Sequence, residues 1–185
     1  HSPHIVAAFD RDLDGIQAMV MRMGGLVEAA LLDAARALED RDEDLAVRVR
    51  DGDAVIDRLE EEIHSGCALI IARRGPTASD LRAVLSVMKI AAALERAGDY
   101  AKNLAKRAIL LGRMSPVGAT AGSVHRLAKS VVVMLKDALD AFASRDVALA
   151  LDVRQRDREV DQMYNSIFRE VLTHMLEDPR NITAA

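Results

Sequence analysis

Tryptophan is absent from the 185 residues, aromatic residues make up 3%, and Cys67 is the only cysteine. So few aromatic rings disfavour a β-sandwich, which draws on them for its sheet faces. A lone cysteine excludes an intrachain disulfide and suits a reducing compartment; set in an apolar run, Cys67 reads as a buried thiol. No basic tract interleaves with aromatics and the net charge is −4, so nucleic acid is excluded as the main ligand. No apolar run approaches the ~20 residues of a membrane span. Residue 1 is His rather than Met, so the sequence as it begins here says nothing of a targeting signal.

What remains is rich in Ala, Leu, Val and Met, with 50% hydrophobic and 29% charged residues. That balance describes a soluble, globular, helix-packing chain long enough for one or two domains. The expected fold is all-α. Leu26, Ala30, Leu31, Ala34, Ala35 and Leu38 recur at helical spacing through a first helix of roughly forty residues, with Gly24 and Gly25 as a place for a bend or close packing. Asp42 is the N-cap expected for a second helix carrying Leu45, Val49, Ile56, Leu59 and Ile63. That helix ends at Arg73-Arg74-Gly75-Pro76. Thr77-Ala78-Ser79-Asp80 resembles a capping box and opens a third helix reaching about Leu111. The segment from Gly112 to Gly118 is the best linker signal in the chain.

Beyond the linker the pattern repeats. At an offset of 104 residues Arg41-Asp42 matches Arg145-Asp146, Leu45 matches Leu149, Val49 matches Val153, Asp53 matches Asp157 and Asp57 matches Asp161. A repeat of this length implies two similar helical units. The expected organisation is a three-helix bundle over 1–113, a linker at 114–118, and a second bundle over 119–185 that stops where its third helix would begin. An open groove lined by Leu149, Val153, Val160, Met163 and Ile167 is expected in the second unit, and with it a homodimer or a swapped helix.

The third helix carries the unusual chemistry. Its apolar stripe, read as Leu81, Leu85, Met88 and Ala92, continues onto Glu95 and Asp99, two carboxylates in core positions. Buried charge is costly unless paired or metal-bound. Asp53 with Asp57 on the second helix, and Asp157 with Asp161 in the second half, are spaced alike, four residues apart. Two such pairs on antiparallel neighbours would make a hard-oxygen cluster suited to a metal. The alternatives are a solvated acidic face, or neutralisation by Arg96 or Lys102. His64, His125 and His174 lack the carboxylate spacing of di-iron bundles and read as structural or surface residues. The methionines 19, 21, 23, 88 and 134 read as core filler. No Ser-His-Asp or Cys-His arrangement suggests nucleophilic catalysis.

With these residues in hand, the chain resembles the PhoU family of phosphate-signalling proteins. Glu95-Arg96-Ala97-Gly98-Asp99-Tyr100-Ala101-Lys102-Asn103-Leu104-Ala105 is similar to that family's signature, and Pro76-Thr77-Ala78-Ser79-Asp80-Leu81-Arg82, Met23-Gly24-Gly25 and Met175-Leu176-Glu177-Asp178-Pro179 are also typical of it. The resemblance implies two pseudo-repeated three-helix bundles. It implies a negative regulator of the phosphate-starvation response, an adaptor rather than an enzyme. Such an adaptor couples the ATPase subunit of a phosphate ABC transporter to a membrane sensor histidine kinase, working in the cytoplasm and peripheral to the inner membrane through its partners. It further implies a multinuclear metal cluster of iron, zinc, manganese or magnesium. The ligands would be Glu95 and Asp99 with Asp53 and Asp57, and more weakly Asp157 and Asp161. Tyr100 stands where the family has His. Lys106 stands where it has Glu, which removes a carboxylate. The second signature, expected on a sixth helix, is absent, and family members would continue past Ala185. A metal-dependent carboxylate enzyme and a metal-free structural scaffold are the rival readings.

Overall fold

The computed structural model describes the backbone of residues 3–112 and 120–177, and the side chains of residues 8–112 and 120–173. Five helices make up these residues: α1 (Pro3–Asp40), α2 (Glu43–Arg74), α3 (Ala78–Gly112), α4 (Thr120–Ser144) and α5 (Val147–Glu177). Among the described residues there is no strand. The linker expected at 114–118, and the residues from 178 to Ala185, lie outside the described residues.

The helix ends follow local chemistry. Asp42 Oδ1 accepts the Leu45 amide at 2.8 Å, capping α2 at its N-terminus. Gly75 closes the other end in the left-handed region at φ 52°, donating to the Ile71 carbonyl. Thr77 donates from its hydroxyl to the Asp80 carboxylate at 3.0 Å, and its carbonyl accepts the Leu81 amide at 2.8 Å, so the two box residues meet through their side chains ahead of α3. The repeat is visible in the turns. Arg41 and Arg145 both take left-handed φ, at 57° and 56°. The amides of Asp42 and Asp146 reach back to Ala37 and Ala141 at 3.0 and 2.9 Å. Asp146 Oδ1 then caps α5 through Leu149, as Asp42 caps α2.

α1, α2 and α3 pack against one another, α4 packs on α1, and α5 packs on α4. The core runs through Phe9, Leu13, Ile16, Val20, Met23 and Val27 of α1, Ile56, Leu59, Ile63 and Cys67 of α2, and Val84, Val87, Ala91 and Leu94 of α3. Burial pushes the Cys67 thiol above its usual range. By length and composition alone, α1 from Ala8 to Asp40 is apolar enough to cross a membrane, a property of its average hydropathy and not of any unbroken apolar run. In the fold its apolar side chains are the wall against which the other helices close.

Leu139 of α4 belongs to the same core, flanked by Leu135 and Phe142, so the two units share a continuous interior through α1. Gly24 makes the junction close: a methyl group there would collide with Leu139 Cδ1, whereas one at Gly25 would meet nothing within 4 Å. Of the two roles the sequence offers this glycine pair, Gly24 serves close packing, and α1 continues as helix through both glycines. Part of the groove expected in the second unit is present, as a cleft of about 280 Å³ where Val160 and Met163 of α5 meet Val133 and Met134 of α4. Leu149, Val153, Val160, Met163 and Ile167 are half-buried. Val147, Leu151, Tyr164, Phe168 and Leu172 are the exposed apolar side chains of α5.

Gly24→Ala should therefore destabilise the protein by about 1–3 kcal/mol through overpacking against Leu139. Gly25→Ala should stabilise it by up to about 1 kcal/mol through helix propensity. Urea denaturation of both variants checks the contrast.

Candidate functional site

The buried seam of α3 is Val84, Val87, Ala91, Leu94, Gly98, Ala101, Ala105 and Ala108. It lies one residue before the stripe expected through Leu81, Leu85, Met88 and Ala92, and Leu85 is exposed. Glu95 and Asp99 consequently sit on the shoulder of the seam, half-buried, rather than within it. Two adjacent stripes share the same heptad steps, so periodicity cannot choose between them. The choice is made by the small residues Gly98, Ala101, Ala105 and Ala108, which let α3 approach its neighbours closely.

The buried acid is on α2 instead. Asp53, expected at the edge of its stripe, occupies a core position between Val49 and Ile56 and is only 4% exposed. It faces Gly98 of α3: a methyl group there would press on Ile56 at 3.2 Å and lie 3.6 Å from Asp53 Oδ1. The missing side chain makes room for both.

Charge balance at this point comes from Lys102. Its Nζ donates to Asp53 Oδ2 at 2.5 Å and to Asp99 Oδ1 at 3.2 Å, bridging α2 and α3. These two bonds hold the Lys102 ammonium well above its ordinary pKa. Asp57 and Glu95 complete an acidic surface around that bridge. Burial pushes the Asp57 carboxyl up, with Asp53 adding to the rise and Lys102 opposing it. Burial also raises Glu95, followed by the charges of Asp99 and Glu60 and by hydrogen bonding to Asp99. One ammonium thus binds two of these carboxylates, Asp53 and Asp99, and offsets part of the rise at a third, Asp57.

The structure brings Asp53, Asp57, Glu95 and Asp99 together across α2 and α3. Their donor chemistry suits a hard cation, but their arrangement does not fit one. Among the described residues no group of three or more His, Cys, Asp or Glu side chains is disposed to hold a metal ion, and Lys102 stands at the centre. The second half does not reproduce the cluster, since Asp157 and Asp161 are both exposed on α5. There Arg156 ties α5 to α4 through Asp137 at 2.5 Å and reaches Asp152 at 2.9 Å.

Other polar links leave no signal in the sequence because their partners lie far apart in the chain. His125 of α4 pairs with Glu39 at the end of α1. Thr120 and Ser123 both donate to Glu170 of α5, at 3.0 and 3.2 Å. His64 sits between Glu60 and the Met88 carbonyl, 3.3 Å from the latter, as a structural histidine of the α2–α3 contact. The side chain of His174 lies outside the described residues.

The raised carboxyls fix a sign for pH dependence. A carboxyl whose folded pKa exceeds its unfolded value is destabilising when ionised, so the strain from Asp57 and Glu95 is full at neutral pH. It fades as pH falls through their raised values. Lys102 contributes the opposite way: its stabilisation is complete below its ordinary pKa and is lost only as pH rises through the higher folded value. Asp57→Asn with Glu95→Gln should raise Tm by about 1–2 °C at neutral pH, from roughly 0.2–0.5 kcal/mol per relieved repulsion. The gain should shrink as pH falls through the raised folded values and vanish once both acids are protonated in the folded and unfolded states alike. Thermal melts of both proteins across pH check this.

Comparison with known proteins agrees with the geometry. The PhoU domain profile matches residues 20–108 and 124–184, one match on each side of the linker. The chain is 43% identical over 180 residues to the phosphate-specific transport system accessory protein PhoU homolog of Rhizobium meliloti, covering 97% of this chain and 76% of that protein. It is 41% identical over 181 residues to the phosphate-specific transport system accessory protein PhoU of Escherichia coli, covering 97% and 74%. The crystal structure of PhoU from Pseudomonas aeruginosa superposes with a TM-score of 0.91 at 42% identity, over 95% of this chain and 84% of that one. PhoU from Streptococcus pneumoniae superposes at 0.82 with 28% identity, over 92% and 80%. A repeated helical unit, a signature whose lysine joins two helices, and identity across nearly the whole chain converge: this chain belongs to the PhoU family.

Proposed function

We propose that this chain is the negative regulator of a phosphate-starvation response, an adaptor that couples a phosphate ABC transporter to a sensor histidine kinase. As a PhoU-family protein it is a regulatory accessory protein of phosphate-specific transport and not an enzyme. The observation that carries the adaptor role is identity of 41–44% across 97–98% of the chain to accessory proteins of that transport system.

An adaptor needs faces rather than a reaction centre, and the surface supports that role. The acidic shoulder of Asp57, Glu95 and Asp99 gives a docking partner a field of one sign, which favours a basic surface on the transporter ATPase or the kinase. Val147, Leu151, Tyr164, Phe168 and Leu172 on α5 and Val133 on α4 are exposed apolar side chains that a partner or a second copy could cover. A further cleft of about 740 Å³ opens where Phe9, Ser79, Phe142 and Arg145 meet. Under this reading the protein works in the cytoplasm and reaches the inner membrane through its partners.

Deletion of the gene should derepress phosphate-scavenging phosphatase in phosphate-rich medium, and complementation with the intact gene should restore repression. Unchanged phosphatase expression in a clean deletion, together with no measurable binding to the kinase or the transporter ATPase at micromolar concentration, would sink the reading.

A further inference from the structure

We propose that the outward face of α3 is a docking face for the anionic surface of a phospholipid bilayer, which the chain meets directly and not only through its partners. The inference stands on the charge pattern of that face and goes beyond the regulatory reading, whose acidic shoulder lies on the flank of the same helix towards α2.

Charge on α3 is sorted by side. Its exposed residues include Arg82, Lys89, Arg96, Lys106 and Arg107 and not one acid. Arg82, Lys89, Arg96 and Arg107 follow one another at intervals of seven, seven and eleven residues. Seven and eleven residues each make a nearly whole number of helical turns, so the four stand on one line, within about 40° of one another. At 1.5 Å per residue that line is about 38 Å long, and Lys106 flanks it. The acids of the helix stand off the line. Glu95 and Asp99 are half-buried, Asp99 is already bound by Lys102, and Asp80 is held by Thr77. Among the described residues none of the five cationic side chains makes a hydrogen bond or an ion pair. Their charge is left over for something outside the fold.

The kind of anion follows from what lies between the cations. Tyr100 falls on the line itself, Leu85 and Leu110 lie at its edge, and all three are exposed. Cations interleaved with a tyrosine and leucines on one helix face match the headgroup layer of an anionic bilayer. The cations reach phosphates, the phenol rests at headgroup level, and the leucines dip below it. The face is straight and convex, and neither α4 nor α5 packs on α3. An acidic protein would be held by anchor side chains in pockets. The cleft at the head of α3 reaches Ser86 and no further along the helix, whereas a bilayer needs only a line of contact. Single-stranded nucleic acid calls for several aromatic platforms, and the line offers one tyrosine. The chain's net charge of −4 keeps its other faces off an anionic surface, which fixes the orientation of docking.

The test measures partition of the 185-residue protein onto sedimented vesicles, made of phosphatidylcholine alone or of phosphatidylcholine with an equal part of phosphatidylglycerol. Wild type should bind the mixed vesicles in low salt and ignore pure phosphatidylcholine. It should let go in about 1 M salt, where the screening length is about 3 Å. Arg82→Gln with Lys89→Gln and Arg96→Gln should lower partitioning by about a hundredfold, at about fivefold for each cation near an anionic surface. Tyr100→Ser should lower it without changing its salt dependence. Arg154→Gln with Arg158→Gln and Arg169→Gln removes the same charge from α5, where exposed cations stand among Asp152, Asp157, Glu159 and Asp161, and should change partitioning far less. Every substituted residue is exposed, so each variant should melt within about 2 °C of wild type. No binding to the mixed vesicles in low salt, equal binding to both kinds, or a loss in the α5 variant as large as in the α3 variant would overturn the proposal. So would vesicles left unbound while the α3 variant loses affinity for the transporter ATPase, since the line would then face an acidic protein; the regulatory reading would survive that result.

Discussion

α3 has to satisfy two neighbours at once. It packs against α1 on one side and α2 on the other, so its buried face is wider than a single heptad stripe. The helix meets this with small residues, Gly98, Ala101, Ala105 and Ala108, along its C-terminal half. Small side chains bring the backbones close, and close backbones leave little room for water beside the seam. Asp53 is enclosed for this reason, and its enclosure makes the reach of Lys102 across the helix pair necessary.

The first unit is consequently held by two different kinds of contact. At one end, Met23, Val20, Val27, Ile63, Val84 and Val87 form an apolar interior fully removed from water. At the other, the interior thins to alanines around Ala34, Ala37, Ala46, Ala101 and Ala105, which bury little area each. The ion bridge lies where the large apolar side chains give way to the small ones. There the helices cannot be held by bulk, and a hydrogen-bonded charge pair fixes their register.

The second unit solves the same problem with fewer means. α5 packs on α4 alone, and it has no fully buried residue among those described. Arg156 on Asp137 replaces the Lys102 bridge at a more exposed position. The unit is anchored to the first through Leu139 against Gly24 and through His125 against Glu39, both on the flank of α1. α1 thus serves as the common wall on which both α4 and the first unit's helices pack.

Several features were legible in the residues alone, because they depend only on neighbours along the chain. The Asp42 and Asp146 caps, the Gly75 stop, the start of α3 just after Thr77, the five helices and the 104-residue repeat all follow from local hydrogen bonding and periodicity. The family signature around Glu95 was equally plain, and so was the grouping of Asp53 and Asp57 with Glu95 and Asp99. What the chain could not reveal was which of two equivalent stripes on α3 turns inward, since both satisfy the same period. Nor could it reveal that Asp53 is deeply buried while its repeat partner Asp157 is exposed, because burial is conferred by a third helix and not by the helix that carries the residue. That an ammonium bridges acids of the two helices was likewise decided by tertiary packing: it depends on how closely α2 approaches α3, and only there does the Lys102 side chain find Asp53 and Asp99 within its reach.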